Sequence, residues 1–345
     1  MRRFYREKFK PFLKNPKFGF LALGLILIIL RFLSGVIPPD LFGAIVTTSY
    51  FYLAGLGFAL LLGYGGLASL GTGAFVGIGA FTLHYLYRYM TMPLTISIIG
   101  AVLVAIAVSL LFGFVSLRIA GMYLAIVTMG LSQIVVEIIK NIPEYASGTS
   151  GGFLSGAVRR PLEFFGVQFE ANSTLFFIAF FVVLGMSVVY NLINSPTGRA
   201  LLSMKNSETA AQTMGISLIK YRLFAFTISG IFGTLAGILS LMFVRNSDIT
   251  SVGLTFALNI LAAVVIGGTK SIWGILLGTF VIFGLNLAVL QPLNLGSYSI
   301  IINGLLIIIV VMFYPGGLIQ LFGDLKKLFK KIGLIVKERV YGTEK

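Results

Sequence analysis

The chain has 345 residues, 57% of them hydrophobic and only 11% charged, with a mean hydropathy of +0.99, whereas soluble domains carry about 25% charge. Its formal net charge is +15, but most of the chain carries no charge at all, which excludes the evenly charged surface of a basic, soluble nucleic-acid binder. Cysteine is absent and His84 is the single histidine, so a disulfide framework, a thiolate metal site and a cysteine nucleophile are excluded and most zinc chemistry with them.

What remains is an all-α, polytopic integral membrane protein that acts as a conduit rather than an enzyme. Residues 1–17 form a basic lead that is too long for the start of a cleavable signal peptide. Beyond it, charge-free intervals serve as a ruler, because a helix needs about 20 mostly apolar residues to cross the hydrocarbon core. No formal charge lies between Asp40 and Arg88, Arg88 and Arg118, Glu170 and Arg199, Arg222 and Arg245, Asp248 and Lys270, or Lys270 and Asp324. The first and last gaps, of 47 and 53 residues, each hold two spans. The expected helices are 18–37, 42–62, 66–87, 94–115, 119–141, 173–193, 222–244, 252–268, 272–291 and 298–314. The count of ten falls to eight or nine if the glycine-rich third segment is broken or re-entrant. A β-barrel would show alternating polarity, and these runs are apolar on every face. The transmembrane domain is therefore 18–314, followed by a basic tail, 315–345.

Orientation follows from lysine and arginine. With ten spans and an internal N-terminus, the inside segments hold 20 Lys/Arg and 5 Asp/Glu, and the remainder of the chain balances at 6 and 6. Both termini are expected inside. The net charge is then an imprint of sidedness.

Two connections are long. The outer one, 143–172, carries S-G-T-S-G-G at 147–152, then Arg159, Arg160, Glu163 and Glu170; it reads either as a glycine-turn loop or as a docking site for a solute-binding protein. In the inner one, 194–222, Ser195-Pro196 starts a helix and Gly215 stops one. Two short helices are expected against the inner face. Their alanines and small polar residues suit a protein groove better than a bilayer surface.

Five segments in register carry a family resemblance. They are E-x-A-A-x-x-x-G at Glu208, Ala210, Ala211 and Gly215, following S-P-x-G-R-A-L at 195–201; the glycine-rich run 61–82; G-M-Y-L-A-I-V-T at 121–128; G-G at 267–268 with S-I-W-G at 271–274; and Y-P-G-G-L at 314–318. Together, over about 40–320, they resemble the permeases of the branched-chain amino acid uptake family (LivH/LivM-type) of ATP-binding-cassette importers. Thr72 and Gly73, Gln133 and Lys270 depart from that pattern, which leaves the solute open. The resemblance implies a permease without a cofactor of its own in a bacterial or archaeal inner membrane. Its implied partners are two ATPase subunits, a second permease subunit (identical or homologous) and an extracytoplasmic solute-binding protein, within the lipid bilayer and with no nucleic acid. Branched-chain amino acids come first as solute, with nucleosides, urea or sugars as alternatives. By the same match Glu208, Ala210, Ala211 and Gly215 form the ATPase-coupling surface, with Arg199 and Lys205 able to meet acidic groups on the ATPase.

Glycines crowd the 63–79 segment, and a helix broken there would expose backbone polar groups, which membranes tolerate only against protein or a water-filled path. Ser69, Thr72 and Thr82 place hydroxyls beside it. Ser69 and Thr72 are path candidates, joined through the 121–128 match by Tyr123 and Thr128. Gly73–Gly77, Gly233–Gly237 and Gly274–Gly278 are small-xxx-small pairs suited to close helix packing. Glu137 stands within a span, and Lys140 at i+3 offers it a partner; a proton relay in a proton-coupled carrier is the rival reading. His84, among Tyr85, Tyr87 and Tyr89, fits an aromatic interface belt. Thr269 between Gly268 and Lys270-Ser271, with no glycine correctly spaced before, breaks the phosphate-loop pattern. No cluster suggests an integral-membrane enzyme.

Overall fold

The computed structural model describes residues 16–116, 123–142, 162–164, 167–169, 171–245, 253–293, 298–314, 316–320 and 324. The basic lead 1–15, the turn at Arg118, the 147–152 run with Arg159 and Arg160, and the tail beyond 324 lie outside the described residues. Among the described residues one helix overlaps each expected span: α1 (Pro16–Phe32), α2 (Pro39–Ala59), α3 (Thr72–His84), α4 (Leu94–Ser116), α5 (Tyr123–Lys140), α6 (Thr174–Ile193), α9 (Leu218–Val244), α10 (Leu254–Gly267), α11 (Ile272–Thr279) and α12 (Ser299–Phe313). Between α6 and α9 lie the short helices α7 (Pro196–Asn206) and α8 (Glu208–Thr213). Wider, π-type turns extend α2 to Tyr64, α3 to Tyr89 and α11 to Leu290.

Among the described residues six helical stretches are long and apolar enough to cross a membrane: Pro39–Tyr64, Leu94–Phe114, Tyr123–Lys140, Thr174–Ile193, Leu218–Val244 and Ile272–Leu290. The remaining helices are shorter or less apolar. The third expected span, 66–87, differs most. Its first six residues are not helical, and α3 starts only at Thr72. A small addition to the all-α reading is a hairpin in the outer connection, β1 (Leu162–Phe164) antiparallel to β2 (Val167–Phe169), with Glu163 opposite Gln168.

α2 is the central helix, buried along most of its length, and packs against α6, α9, α10 and α11. Behind it α9 crosses α3. Glycines set how closely these helices approach. A Cβ on Gly79 would run into the Thr234 carbonyl, and one on Gly237 into the Val76 carbonyl, so backbone touches backbone and van der Waals contact replaces the interhelical hydrophobic effect that lipid cannot provide. Thr234 Oγ1 then donates to Phe75 O across the crossing, at 3.2 Å. Gly274 and Gly278 do the same work between α11 and α10, against the carbonyls of Gly267 and Ala263.

The outward faces are apolar. Leu21, Leu25, Ile29 and Phe32 of α1, and Ile301, Leu305, Ile308 and Met312 of α12, are all exposed. Rows of this kind on a soluble protein would drive aggregation, and in a bilayer they face acyl chains. Glu137 pairs with Lys140 at 3.6 Å, as the i+3 spacing implied. His84 is buried, edge-on to Tyr89 with ring centroids 5.9 Å apart.

Candidate functional site

The candidate site is built where α2 ends, around the gap between Tyr64 and Thr72. The N–H groups of Gly65 and Leu67 return to the carbonyls of Leu60 and Leu61, at 3.1 and 3.0 Å. Gly66 then turns the chain with φ +67°, a left-handed conformation that costs glycine little. The exposed backbone groups of the gap must find partners, and distant segments supply them. Leu70 N–H donates to Thr128 Oγ1 at 2.9 Å, and Gly71 N–H to Ser69 Oγ at 3.3 Å. Thr128 Oγ1 in turn donates back to Leu124 O in its own helix. Ser69, Thr72 and Thr128 are therefore brought together and all buried. In this conformation the Ser69 and Thr128 hydroxyls serve the backbone of the gap. Tyr123 is not part of the cluster; it is 71% exposed, on another face of α5.

Helix α7 lies directly against this gap, and α8 follows it to rest on α9. Each is nucleated locally. Ser195 caps α7, its hydroxyl accepting from Gly198 N–H at 3.4 Å, with Pro196 in the first turn. Ser207 caps α8 through Ala210 N–H at 3.3 Å. Gly215, at φ +79°, ends the unit. The expected pair of helices is thus present. Its division at Ser207 is set by a residue whose capping role the sequence reading did not single out.

Lys205 of α7, though an exposed residue, reaches across to the end of α2. Its ammonium donates to Gly63 O at 2.9 Å and Leu62 O at 3.3 Å, carbonyls at the end of α2 where helix geometry leaves acceptors unpaired and the dipole favours a cation. Its stem lies over Gly66, where an added Cβ would stand 3.0 Å from Lys205 Cγ. Burial, and secondarily the positive charge of Lys270, hold the Lys205 amine below its ordinary pKa. Glu208, at the start of α8, forms an ion pair with Arg222 of α9; Arg222 is buried. That partner sits fourteen positions away and carried no motif signal.

Below the gap, Gly63 abuts the turn between α10 and α11 so closely that a Cβ there would overlap the Thr269 carbonyl. Tyr64 Oη donates to Lys270 O at 3.2 Å and Tyr52 Oη to Ile272 O at 3.0 Å. Gly317 packs on Gly268 of the same turn. Four of the five sequence segments that carried the family resemblance therefore converge at one end of the bundle, and the fifth, 121–128, reaches them through Thr128.

The outward side of α7–α8 presents Arg199, Glu208, Ala210 and Gly215, all exposed, with Ala211 buried beneath. Met214 projects from it at 83% exposure, a bare thioether that the sequence reading passed over. Arg199 makes a 3.4 Å contact to Asn194 O and is otherwise turned outward.

A family model described as the branched-chain amino acid transport system / permease component matches residues 41–311. The chain belongs to this permease family. Among relatives, the permease is 30% identical over 296 residues to the high-affinity branched-chain amino acid transport system permease protein LivM of Salmonella typhimurium, covering 79% of this chain and 68% of that one. The Escherichia coli LivM protein matches at the same identity and coverage. A ribose import permease protein, RbsC of Haemophilus influenzae, is 33% identical over 36% of this chain and 39% of its own. The permease thus aligns with LivM along most of its length, and with the ribose protein over little more than a third.

Proposed function

We propose that this permease is the membrane-spanning subunit of an ATP-binding-cassette importer that carries branched-chain amino acids inward by alternating access. ATP is hydrolysed by two separate ATPase subunits, and solute is delivered by an extracytoplasmic binding protein. A second permease subunit, identical or homologous, completes the membrane unit. Ten spans with both termini inside would put α7–α8 at the cytoplasmic face, an orientation that the distribution of lysine and arginine favours. The carrying observation is the position of α7–α8: a two-helix unit with a small-residue outer surface, held at the end of α2 beside the break through Lys205 of α7. A groove in an ATPase accepts Ala210, Gly215 and Met214, and movement of α7–α8 re-partners the break so that Ser69, Thr72 and Thr128 come to line the route. No nucleotide need bind this chain.

The Glu137–Lys140 pair counts against a proton-coupled carrier, because a locally neutralised carboxylate is a poor relay. The test is reconstitution with the ATPase and binding-protein partners in proteoliposomes. ATP-dependent uptake of leucine, isoleucine or valine, insensitive to a protonophore, is expected. Uptake of ribose, urea or nucleosides instead would overturn the solute, and gradient-driven uptake without ATP would overturn the class.

A further inference from the structure

We infer that Lys205 is the positioning residue that carries motion of α7–α8 into the break between α2 and α3. This rests on the ATP-driven reading above, and adds to it a specific mechanical link.

Besides its chain link into α9 and the packing of the buried Leu201, Met204 and Ala211, three attachments of the two-helix unit to the bundle bear on the break. At its start, α7 follows α6 through a turn so tight that a Cβ on Gly198 would overlap the Ile193 carbonyl. At its far side, the Glu208 carboxylate holds the buried Arg222 guanidinium of α9. Between them the Lys205 ammonium holds the carbonyls of Leu62 and Gly63. The first attachment is a covalent hinge and the second reaches α9. Among the described residues Lys205 makes the side-chain hydrogen bonds from α7 to the last turn of α2.

Chemistry suits that role. A lysine presents three rotatable donors on a long stem, so it can follow the carbonyls through a small shift without breaking contact. The cation also sits at the negative end of the α2 dipole, which strengthens the hold. Because Gly66 lies under the Lys205 stem, a displacement of α7 pushes the left-handed turn directly. On the other side α9, moved through Arg222, carries Thr234 and Gly237 against α3. Both flanks of the break are then driven by one rigid unit, the usual way a small displacement is passed on. A lysine facing lipid headgroups or an ATPase acid would not have its ammonium between two helix-end carbonyls.

The experiment uses the full importer in proteoliposomes, reading ATP hydrolysis, uptake and co-purification of the ATPase. Lys205→Met keeps the stem and removes the donors. Assembly and hydrolysis are expected to stay within about twofold of wild type while solute carried per ATP falls by about tenfold, and Lys205→Arg, which still donates, restores most of it. The chain has no native cysteine, so the contact can also be replaced covalently. An added Cβ at Gly66 lies 3.4 Å from Lys205 Cβ, close to disulfide spacing. Cysteine at Gly66 is strained by its left-handed backbone at φ +67°, so Gly66→Cys alone is the reference; the Gly66→Cys/Lys205→Cys pair should couple more poorly than that reference when reduced and regain its transport per ATP on oxidation, an effect that a merely structural lysine would not produce. An unchanged ratio in Lys205→Met, a loss of ATPase co-purification in that variant, or no gain on oxidation would each overturn the inference. Failure of the wild-type importer to show ATP-driven uptake would instead overturn the reading on which it rests.

Discussion

Thr128→Val isolates the energetics of the break, because valine matches threonine in shape and deletes only the hydroxyl. Thr128 is fully buried, and its oxygen accepts the Leu70 N–H at 2.9 Å. Without it that N–H is left buried and unpaired, which costs about 1–3 kcal/mol. The lost donation to Leu124 O adds little, because a helical carbonyl keeps its backbone partner. The whole penalty falls on the broken conformation, so the share of chains with the break rearranged rises by about five- to 150-fold. The absence of native cysteine provides a clean assay. Ser69→Cys introduces one thiol at a position that is 2% exposed, and its maleimide labelling rate in membranes reports opening. Thr128→Val should speed labelling at least about fivefold, and Thr128→Ser, which keeps the acceptor, should stay within about twofold of the parent. Equal rates in all three would show that Thr128 does not hold the break, and the account of the site would fail.

Glu208→Gln leaves the buried Arg222 without its counter-charge; the expected loss is about 1.5 kcal/mol, at the low end for charged hydrogen bonds because Glu208 is about half exposed. It should appear as a lowered thermal midpoint of the purified permease, and an unchanged midpoint would show the pair to be idle. Met214→Glu puts a charge on the 83% exposed thioether and should weaken ATPase co-purification by about tenfold, or ~1.4 kcal/mol, without altering membrane insertion; undiminished capture would remove Met214 from the docking surface. Gly237→Val forces α9 away from the Val76 carbonyl of α3 and should cost about 1–3 kcal/mol or more, seen as loss of monodisperse protein. Gly43→Ala is its control, since nothing lies within 4 Å of a Cβ there, and equal behaviour of the two would contradict the packing account.

These predictions divide according to what the sequence could announce. The membrane helices were legible because a charge within the hydrocarbon is costly, so gaps between charges mark spans; 94–115 and 173–193 meet Leu94–Ser116 and Thr174–Ile193 within a residue. The same ruler overran at 66–87, because a stretch of glycine, leucine and alanine holds no charge to mark its break. The helix cap at Ser195 and the stop at Gly215 were legible because a helix end is decided by its own neighbours. The family motif marked Glu208 but not Arg222, and the charge of Lys205 read as one for ATPase acids rather than for the carbonyls it holds, since those partners are set by which helices end at the same height. Tyr123 shows the opposite failure: a motif position need not share the site of its neighbours, because five residues along a helix rotate a side chain to another face.

That contrast is why, in the proposed mechanism, the break is the part of the chain expected to move. A continuous membrane helix satisfies its backbone within itself, and altering it means exposing N–H and C=O groups to lipid. The segment from Gly65 to Gly71 instead draws its partners from α5 through Thr128 and from its own Ser69, while Lys205 of α7 holds the end of α2 beside it. Each of these is one hydrogen bond or a pair of them, worth about 0.5–1.5 kcal/mol net and somewhat more for the charged one. Exchanging such partners one at a time lies within reach of the free energy that a partner protein can supply through a docked helix, whereas separating α3 from α9 at Gly79 and Gly237 would break an entire packed crossing at once. The crossing is therefore expected to move as a block, with the rearrangement that opens the proposed path falling on the glycine-rich gap.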